Sequence, residues 1–375
     1  MALDDHRRAP ALDRPDVRPA RVPQARPGRS CRHVRRGRTR RCRVRPHGRA
    51  GLSRSFGERL LVSRGAADAS PLVSVVIPHY GDPRHALALV DDLRHQSPSV
   101  TRQIIVVDDH SPTPFPETVG VEVIHREHNG GFGAAVNTGA AKASGDWLLI
   151  ANSDVRIGPT LLAQLIEQAQ PLMPAVVGPA SADEQGRPEH TGRRFPTARH
   201  LAVTTALPLQ RFNRSQWMLR LAGYVLPRGE RPQRVDWLQG SLLVLPREVF
   251  AAAGGFDEGY YMYSEEVDLQ RRLGDRGVPA WLLPDLTVTH TGGASTIGIV
   301  DVGERMIRSR LLYARKFGGE RAARGTLMAV AVLNLVCRLM LRATGRASAP
   351  RLAWHREWRR ARLAPSTAMA ANRGG

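Results

Sequence analysis

Lysine is almost missing: only Lys142 and Lys316 stand among 55 basic residues, so nearly every cation is an arginine. Cysteine is scarce, and Cys31, Cys42 and Cys337 form no CxxC pair and no His/Cys cluster. That excludes a disulfide framework and a zinc-finger site, and it fits a reducing cytoplasm. Aromatic residues are only 5% of the chain, and none interleaves the arginines before Phe56, so the basic start has no base-stacking platform. The opening MALDDHRRAP has no apolar stretch of the kind a secretory leader needs. Internal repeats are missing as well.

Charge is abundant and uneven. The chain of 375 residues has a formal net charge of +21, and residues 1–70 hold nineteen arginines against six acidic residues. The remaining surplus of +8 is ordinary for an enzyme that handles phosphates. Residues 1–70 are rich in Arg, Pro and Gly without apolar periodicity, so they are expected to form a disordered tail, or upstream sequence read from an early start codon. A nucleic-acid role is not expected of them, although an Arg-tail nucleic-acid binder is the rival reading from another functional class.

Patterned sequence follows. LVSVVIP (72–78), QIIVVDD (103–109), VEVIH (121–125), WLLIAN (147–152) and AVVG (175–178) read as short buried strands. Helical spacing separates them at 82–96, 133–143 and 159–170, with Asp82 as N-cap and Pro83 opening the first helix. The alternation predicts an α/β fold with a mostly parallel central sheet flanked by helices. Ligands of such sheets sit at the carboxyl ends of the strands. Residues 190–235 read as irregular, 236–246 and 281–290 as strands, and 265–277 as a helix closed by Gly277. Past residue 300 the chain reads as helical. The apolar run 326–341 is interrupted by Asn334 and Arg338 and falls short of the ~20 residues of a membrane span. With the basic, Trp-bearing segment RLAWHREWRRARL (351–363) it makes either a peripheral membrane anchor or a buried helix with a solvated tail. The expected division is a tail at 1–70, a catalytic domain at 71–318 and a basic helical region at 319–375.

Chemistry-bearing residues follow the strands. Asp108 and Asp109 end the second one, where a carboxylate can accept a pyrimidine N–H or a ribose hydroxyl, or cap a turn. Asp154 follows WLLIANS, where it can hold a divalent cation against a diphosphate. HNGGFGAAVNTG (128–139) imitates a dinucleotide fingerprint, but Val136 stands where a small residue is required. Its glycines, Gly131 included, are expected to let the backbone approach a donor, with Asn137 as a polar contact. Glu265, Glu266 and Asp268 crowd a helix start after a Gly-rich aromatic turn, a setting for a general base, although acids there also suit the helix dipole. His290 ends a strand in THTGGAST and reads as a second metal ligand or a loop cap.

Taken in order, VSVVIPHYGD, IIVVDDHS, HNGGFGAAVNTG, ANSDV, DWLQGSLLVLPREVFAAAGGFDEGYYMYSEEVDLQRRL and HTGGAST resemble family-2 glycosyltransferases of the GT-A fold, in particular the bacterial rhamnosyltransferase-like branch. The resemblance runs from about residue 72 to 318. It implies an inverting, metal-dependent transfer of a sugar from a nucleotide-diphosphate donor to a hydroxyl of a lipid-linked glycan in cell-wall or surface polysaccharide synthesis, at the inner face of the cell membrane. dTDP-rhamnose is the donor it suggests first, with UDP-galactofuranose, UDP-hexose and GDP-mannose as alternatives. It implies Pro78, Tyr80, Asp108, Asp109, Gly131, Asn137 and Asp154 on the donor side. Asp154 and His290 would hold Mg2+ or Mn2+, Glu266 would be the base beside Glu265, and Arg194, Trp237 and Gly240 would lie on the acceptor side. Two positions depart from the family pattern: the metal motif reads Asn-Ser-Asp, and the catalytic pair reads Glu-Glu where Glu-Asp is usual.

Overall fold

The computed structural model describes residues 72–97, 102–292, 302–343 and 350–363; the expected tail at 1–70 lies outside them. Four strands open the fold in parallel: Val73–His79 (β1), Arg102–Asp108 (β2), Glu122–His125 (β3) and Trp147–Ala151 (β4). Arg84–Arg94 (α1) follows β1, and Phe132–Ala140 (α2) follows β3. After a short Val155–Arg156 (β5) come Leu161–Ala169 (α3) and Val176–Ala182 (β6). The segment expected to be irregular holds Gly192–Arg193 (β7), Ala198–Thr205 (α4), Gln216–Leu221 (α5) and Gln233–Val235 (β8). The chain continues through Trp237–Leu238 (β9), Leu242–Pro246 (β10), Arg247–Ala252 (α6), Glu265–Asp275 (α7) and Ala280–His290 (β11). Three helices end the described chain: Val302–Lys316 (α8), Glu320–Ala343 (α9) and Pro350–Ala361 (α10).

The main sheet has the order β3-β2-β1-β4-β10-β6-β11-β5, with β8 paired to β11. It is mixed, because β10 inserts antiparallel between β4 and β6, and β5 and β8 pair antiparallel with β11. Successive strand residues point to opposite faces, and both faces are covered. Val73, Val75 and Ile77 pack with Leu89, Leu93, Leu162 and Leu165 on one side. Val76, Ile105 and Val107 pack with Val136, Phe250, Leu269 and Leu273 on the other. Double burial is why these strands are continuous apolar runs instead of alternating ones. In α1 the buried positions Ala86, Leu89, Val90 and Leu93 have the three-and-four spacing of one helix face.

The C-terminal helices join this body through two smaller clusters. Ile307 and Leu311 of α8 meet Leu201, Leu327 and Ala361, while Leu312 and Tyr313 meet Trp237, Tyr260 and Val267. The helix α9 is longer than the apolar run at 326–341, and by length and composition it could cross a membrane. One stripe of it is nevertheless tied to protein. Buried Asn334 accepts from Leu207 N at 2.7 Å and donates to Thr205 O and Glu357, and Arg338 pairs with Glu357 at 2.6 Å. Its opposite stripe, including Val332, Leu333, Val336, Leu339 and Met340, is exposed.

Candidate active site

The ends of β1, β2 and β4 make one wall of a cleft. Pro78 is buried in β1, opposite Val107 of β2, and Tyr80 just beyond is exposed at the rim. Asp108 and Asp109 are buried but busy. Asp108 accepts from Ser111 N and Phe115 N, both at 3.0 Å, and contacts His125 at 3.1 Å, which fastens the loop after β2. Asp109 accepts from Gly130 N at 3.0 Å, from Gly131 N at 2.7 Å and from Arg126. A carboxylate offers about four acceptor positions; Asp108 fills them, because the Ser111 hydroxyl bonds it as well, while Asp109 keeps roughly one for a ligand.

Gly131 and Asn137 of the Asn/Gly segment make close contacts within the protein. Gly131 has φ +84°, and a Cβ there would lie 1.8 Å from the carbonyl oxygen of Tyr261. The close approach that demands glycine is therefore to the loop before α7. Asn137 accepts from Phe256 N and donates to Phe256 O and Glu258, each at 2.9 Å, so its amide is a strut for the same loop. Tyr261 adds a 2.6 Å hydrogen bond to Asn129, and Ser309 of α8 donates to Met262 O at 2.8 Å. The loop is pinned on both sides. That explains how Tyr263 and Ser264 are both held at φ +71°, a conformation that costs a non-glycine residue about 1–3 kcal/mol.

This strained turn delivers Glu265 and Glu266 to the first turn of α7. Glu265 is buried beside Gly133, and Glu266 packs against Gly240, where an added methyl would sit 3.7 Å from the Cβ of Glu266. One oxygen of each carboxyl, Oε2, is buried without a hydrogen-bond partner. Burial raises both pKa values, Glu265 well above the usual range, where the neighbouring Glu266 adds its charge. Asp268, the third acid of the cluster, has another occupation: it is fully buried and binds Tyr260, Arg272 and Lys316. Gln270 clamps β9 by exchanging two 2.8 Å hydrogen bonds with Leu238, which fixes the approach to Gly240.

Asp154 and His290 come together because β11 pairs with β5, His290 opposite Val155, while Thr291 N donates to Asp154 O at 3.0 Å. His290 Nε2 lies 3.2 Å from Asp154 Oδ1, and its Nδ1 lies 2.9 Å from Glu189 Oε2. Burial disfavours the imidazolium, but the two carboxylates outweigh it and lift His290 to about 10. Burial likewise opposes charge on Asp154 and Glu189, and His290 pulls both below their ordinary values. Among the described residues no three His, Cys, Asp or Glu side chains converge to hold a metal alone. Asp154 supplies a hard oxygen donor for Mg2+ or Mn2+ when a substrate diphosphate supplies most of the remaining oxygens, and His290 would join it only as the neutral imidazole, giving up the proton that its two carboxylate neighbours favour. Asn152 N donates to Ser241 O at 2.9 Å, which places the Asp154 strand end next to Gly240 and hence next to Glu266.

On the remaining side, Trp237 is buried and donates to Arg194 O at 2.9 Å. The Arg194 side chain turns outward to Asp236, 3.0 Å away. Its neighbour Arg193 turns inward, 4.4 Å over the Tyr224 ring and 5.3 Å over Trp237. The inward cation is thus one residue earlier than the one the resemblance selects.

A family model for glycosyl transferase family 2 matches residues 74–223. An N-acetylglucosaminyl-diphospho-decaprenol L-rhamnosyltransferase of Mycobacterium tuberculosis is 30% identical over 214 residues, which span 52% of this chain and 67% of that protein. The chain belongs to glycosyltransferase family 2. The O-antigen biosynthesis protein RfbC of Myxococcus xanthus is 26% identical over 60% of this chain and 18% of its own length. A crystal structure of GalNAc-T7 with UDP, GalNAc and Mn2+ has a TM-score of 0.47 at 16% identity, covering 65% of this chain and about half, 48%, of that one. The family's GT-A architecture is the mixed, mostly parallel sheet described above, with its strand ends facing the cleft.

Sequence reasoning missed Glu189. It lies in a polar turn without local signal; Ser181 of β6 donates to it through its hydroxyl, and β6 pairs in turn with β11, which carries His290. Only the pairing of distant strands brings it to the site.

Proposed function

We propose that this family-2 glycosyltransferase catalyses a single-displacement, inverting transfer of rhamnose from dTDP-rhamnose to a hydroxyl of a lipid-linked glycan. The observation that carries the reading is the adjacency of two unlike centres, an Asp154–His290 pair on one side of the cleft and a buried glutamate pair on the other. Glu266 takes the acceptor's proton as the hydroxyl oxygen attacks C1 of the donor. Its raised pKa makes it a stronger base than a surface glutamate. Glu265, buried more deeply, keeps Glu266 in place through the turn they share. Asp154 and His290 would hold Mg2+ or Mn2+, which when bound neutralises charge on the departing diphosphate. Glu189 orients the imidazole so that Nε2 faces Asp154. The spare acceptor position of Asp109 receives the nucleoside, and Asp108 holds the loop that borders it.

The rhamnosyl group and the lipid-linked acceptor are supported by the name of the mycobacterial relative, and a surface polysaccharide by that of the myxococcal one. The acceptor's lipid is accommodated by laying the exposed apolar stripe of α9 on the inner face of the membrane. An amphipathic helix with basic neighbours suits an anionic interface. Trp354 and Trp358 of α10, stacked at 4.8 Å, lie among those basic residues. The test is a transfer assay with dTDP-rhamnose, UDP-galactofuranose, UDP-hexose and GDP-mannose offered separately with an N-acetylglucosaminyl-diphospholipid and Mn2+. Rhamnosyl product with the anomeric configuration opposite to the donor's is expected; retention of configuration, or transfer from another donor alone, overturns the reading.

A further inference from the structure

From residue 190 to residue 229 the sequence has seven arginines and no aspartate or glutamate. Three of these, Arg211, Arg214 and Arg220, belong to a short 3-10 helix at Leu207–Phe212, the turn after it, and α5. All three are exposed. Arg211 lies 4.6 Å over the Phe212 ring and Arg220 donates to Gln216 at 3.4 Å; none of the three meets a carboxylate among the described residues. Among them two aromatic rings stand in the open. Trp217 is 52% exposed and Phe212 37%, and their ring centres are 5.6 Å apart. A tight turn brings them together: the N–H and the hydroxyl of Ser215 both donate to Phe212 O, at 2.8 and 2.7 Å. Then α5 buries Met218 and leaves its neighbour Trp217 outside. Single apolar residues scattered over a surface need no partner, but two rings side by side with a rim of arginines make a patch.

The patch is fastened at both ends. At its start, Leu207 N donates to Asn334 of α9 at 2.7 Å, and Asn334 donates to Thr205 O at 3.1 Å. At about 2 Å per residue, the 3-10 helix carries Phe212 roughly 10 Å from that contact. At its end, Arg194 N donates to Gly223 O at 2.7 Å and Val225 N to Gly192 O at 2.9 Å, which ties the returning chain to β7. Aromatic rings, Trp above all, settle at the headgroup level of a bilayer, where the ring body is apolar and the edge meets water. Arginine's planar fork suits lipid phosphate, and its stem lies along apolar surface. A stretch with no acidic residue complements an anionic leaflet, which attracts each arginine brought near it.

We propose that residues 207–220 form a membrane-inserting wedge, in which Phe212 and Trp217 enter the acyl boundary of an anionic leaflet and Arg211, Arg214 and Arg220 hold its phosphates. The inference goes beyond the docking of α9: it shares the membrane with that reading and rests on different side chains. Two separate contacts fix the tilt of the molecule as well as its attachment. Because the wedge returns directly into the pairing with β7, it holds that wall of the cleft close to the leaflet.

The experiment mixes the full chain with vesicles of phosphatidylcholine, or of equal parts phosphatidylcholine and phosphatidylglycerol, and follows co-sedimentation and the quenching of tryptophan by brominated acyl chains. On the mixed vesicles bromine should quench the parent, and Trp217→Phe less. The double variant Phe212→Ser with Trp217→Ser should bind at least tenfold more weakly. Arg211→Gln with Arg214→Gln should lose at least tenfold on the mixed vesicles and nothing on phosphatidylcholine. Urea unfolding midpoints should match the parent's, because all four side chains are exposed. Identical quenching of parent and Trp217→Phe, or parental binding by the Ser variant, overturns the wedge, as does a parent that binds neither vesicle. A lowered unfolding midpoint in the Ser variant assigns the rings to packing and equally overturns it. Binding of a single-stranded oligonucleotide in place of vesicles, lost in the same variants, gives the patch to nucleic acid and overturns it too. Val336→Ser with Leu339→Ser tests α9 alone. Parental binding by this variant beside a loss in the wedge variants keeps the wedge and removes the docking of α9; the reverse pattern keeps α9 and removes the wedge.

Discussion

Replacing Gly131 by alanine tests whether the Gly-rich segment serves the donor directly or serves the catalytic loop. Gly131 has φ +84° and ψ 179°, a region that is essentially glycine's alone, so alanine costs about 1–3 kcal/mol before any contact is considered. Its Cβ would lie 1.8 Å from Tyr261 O, so the carbonyl must retreat by roughly 1 Å or more. Tyr261 is four residues from Glu265, and the loop between them is fixed at Asn129 and Ser309, so the displacement reaches the glutamates. A misplacement of about 1 Å in a catalytic group can cost on the order of 100-fold in rate. Gly131→Ala should therefore lower kcat about 100-fold and stability by about 1–3 kcal/mol, with little change in donor affinity. The assays are steady-state transfer, urea unfolding and calorimetric titration of the donor nucleotide. A variant with parental kcat but weakened donor binding would refute the reasoning and return Gly131 to the donor site.

Other perturbations separate the roles of the acidic residues. Glu189→Gln should weaken Mn2+ binding in the presence of dTDP by about 10–100-fold, measured by electron paramagnetic resonance, because His290 loses the carboxylate that orients its ring; unchanged Mn2+ affinity would show that Glu189 only packs. Asp268→Asn should destabilise the protein by about 3–5 kcal/mol in urea unfolding, since it leaves Arg272 and Lys316 facing a neutral amide in a buried place, and a loss under 1 kcal/mol would contradict that role. Because burial raises the pKa of Glu266 and the base must be ionised, kcat should fall as pH decreases through a value above 4.5. A rate that stays flat down to pH 4.5 would rule out a buried carboxylate as the base.

β1, β2 and β4 were legible because each is short, rich in Val, Ile or Leu, and buried on both faces, while the edge strand β3 is only half-buried. The order of the sheet was not. Inserting β10 between β4 and β6 depends on pairing between segments 67 to 99 residues apart, and apolar runs of similar composition do not encode their neighbours. The helices at 198–205 and 216–221 were hidden by their length, since six to eight residues carry barely two turns of pattern. Asp154 and His290 were readable from their positions at strand ends, whereas Glu189 depends on the β6–β11 pairing. Arg193 and Arg194 show the limit most sharply. In a strand one step reverses the face, and a two-residue strand such as β7 gives no alternation from which to read the face. The contacts of Gly131 and Asn137 with the loop before α7 were not readable, because that loop lies more than 110 residues downstream.

The central claim is that Glu266 is the base, and the most direct measurement is turnover of Glu266→Gln beside Glu265→Gln under saturating substrates. The glutamine at 266 keeps the size of the side chain but cannot accept the proton, so kcat should fall by roughly 10²–10⁴-fold with donor affinity preserved, and Glu265→Gln should be milder. Near-parental turnover by Glu266→Gln would contradict the account.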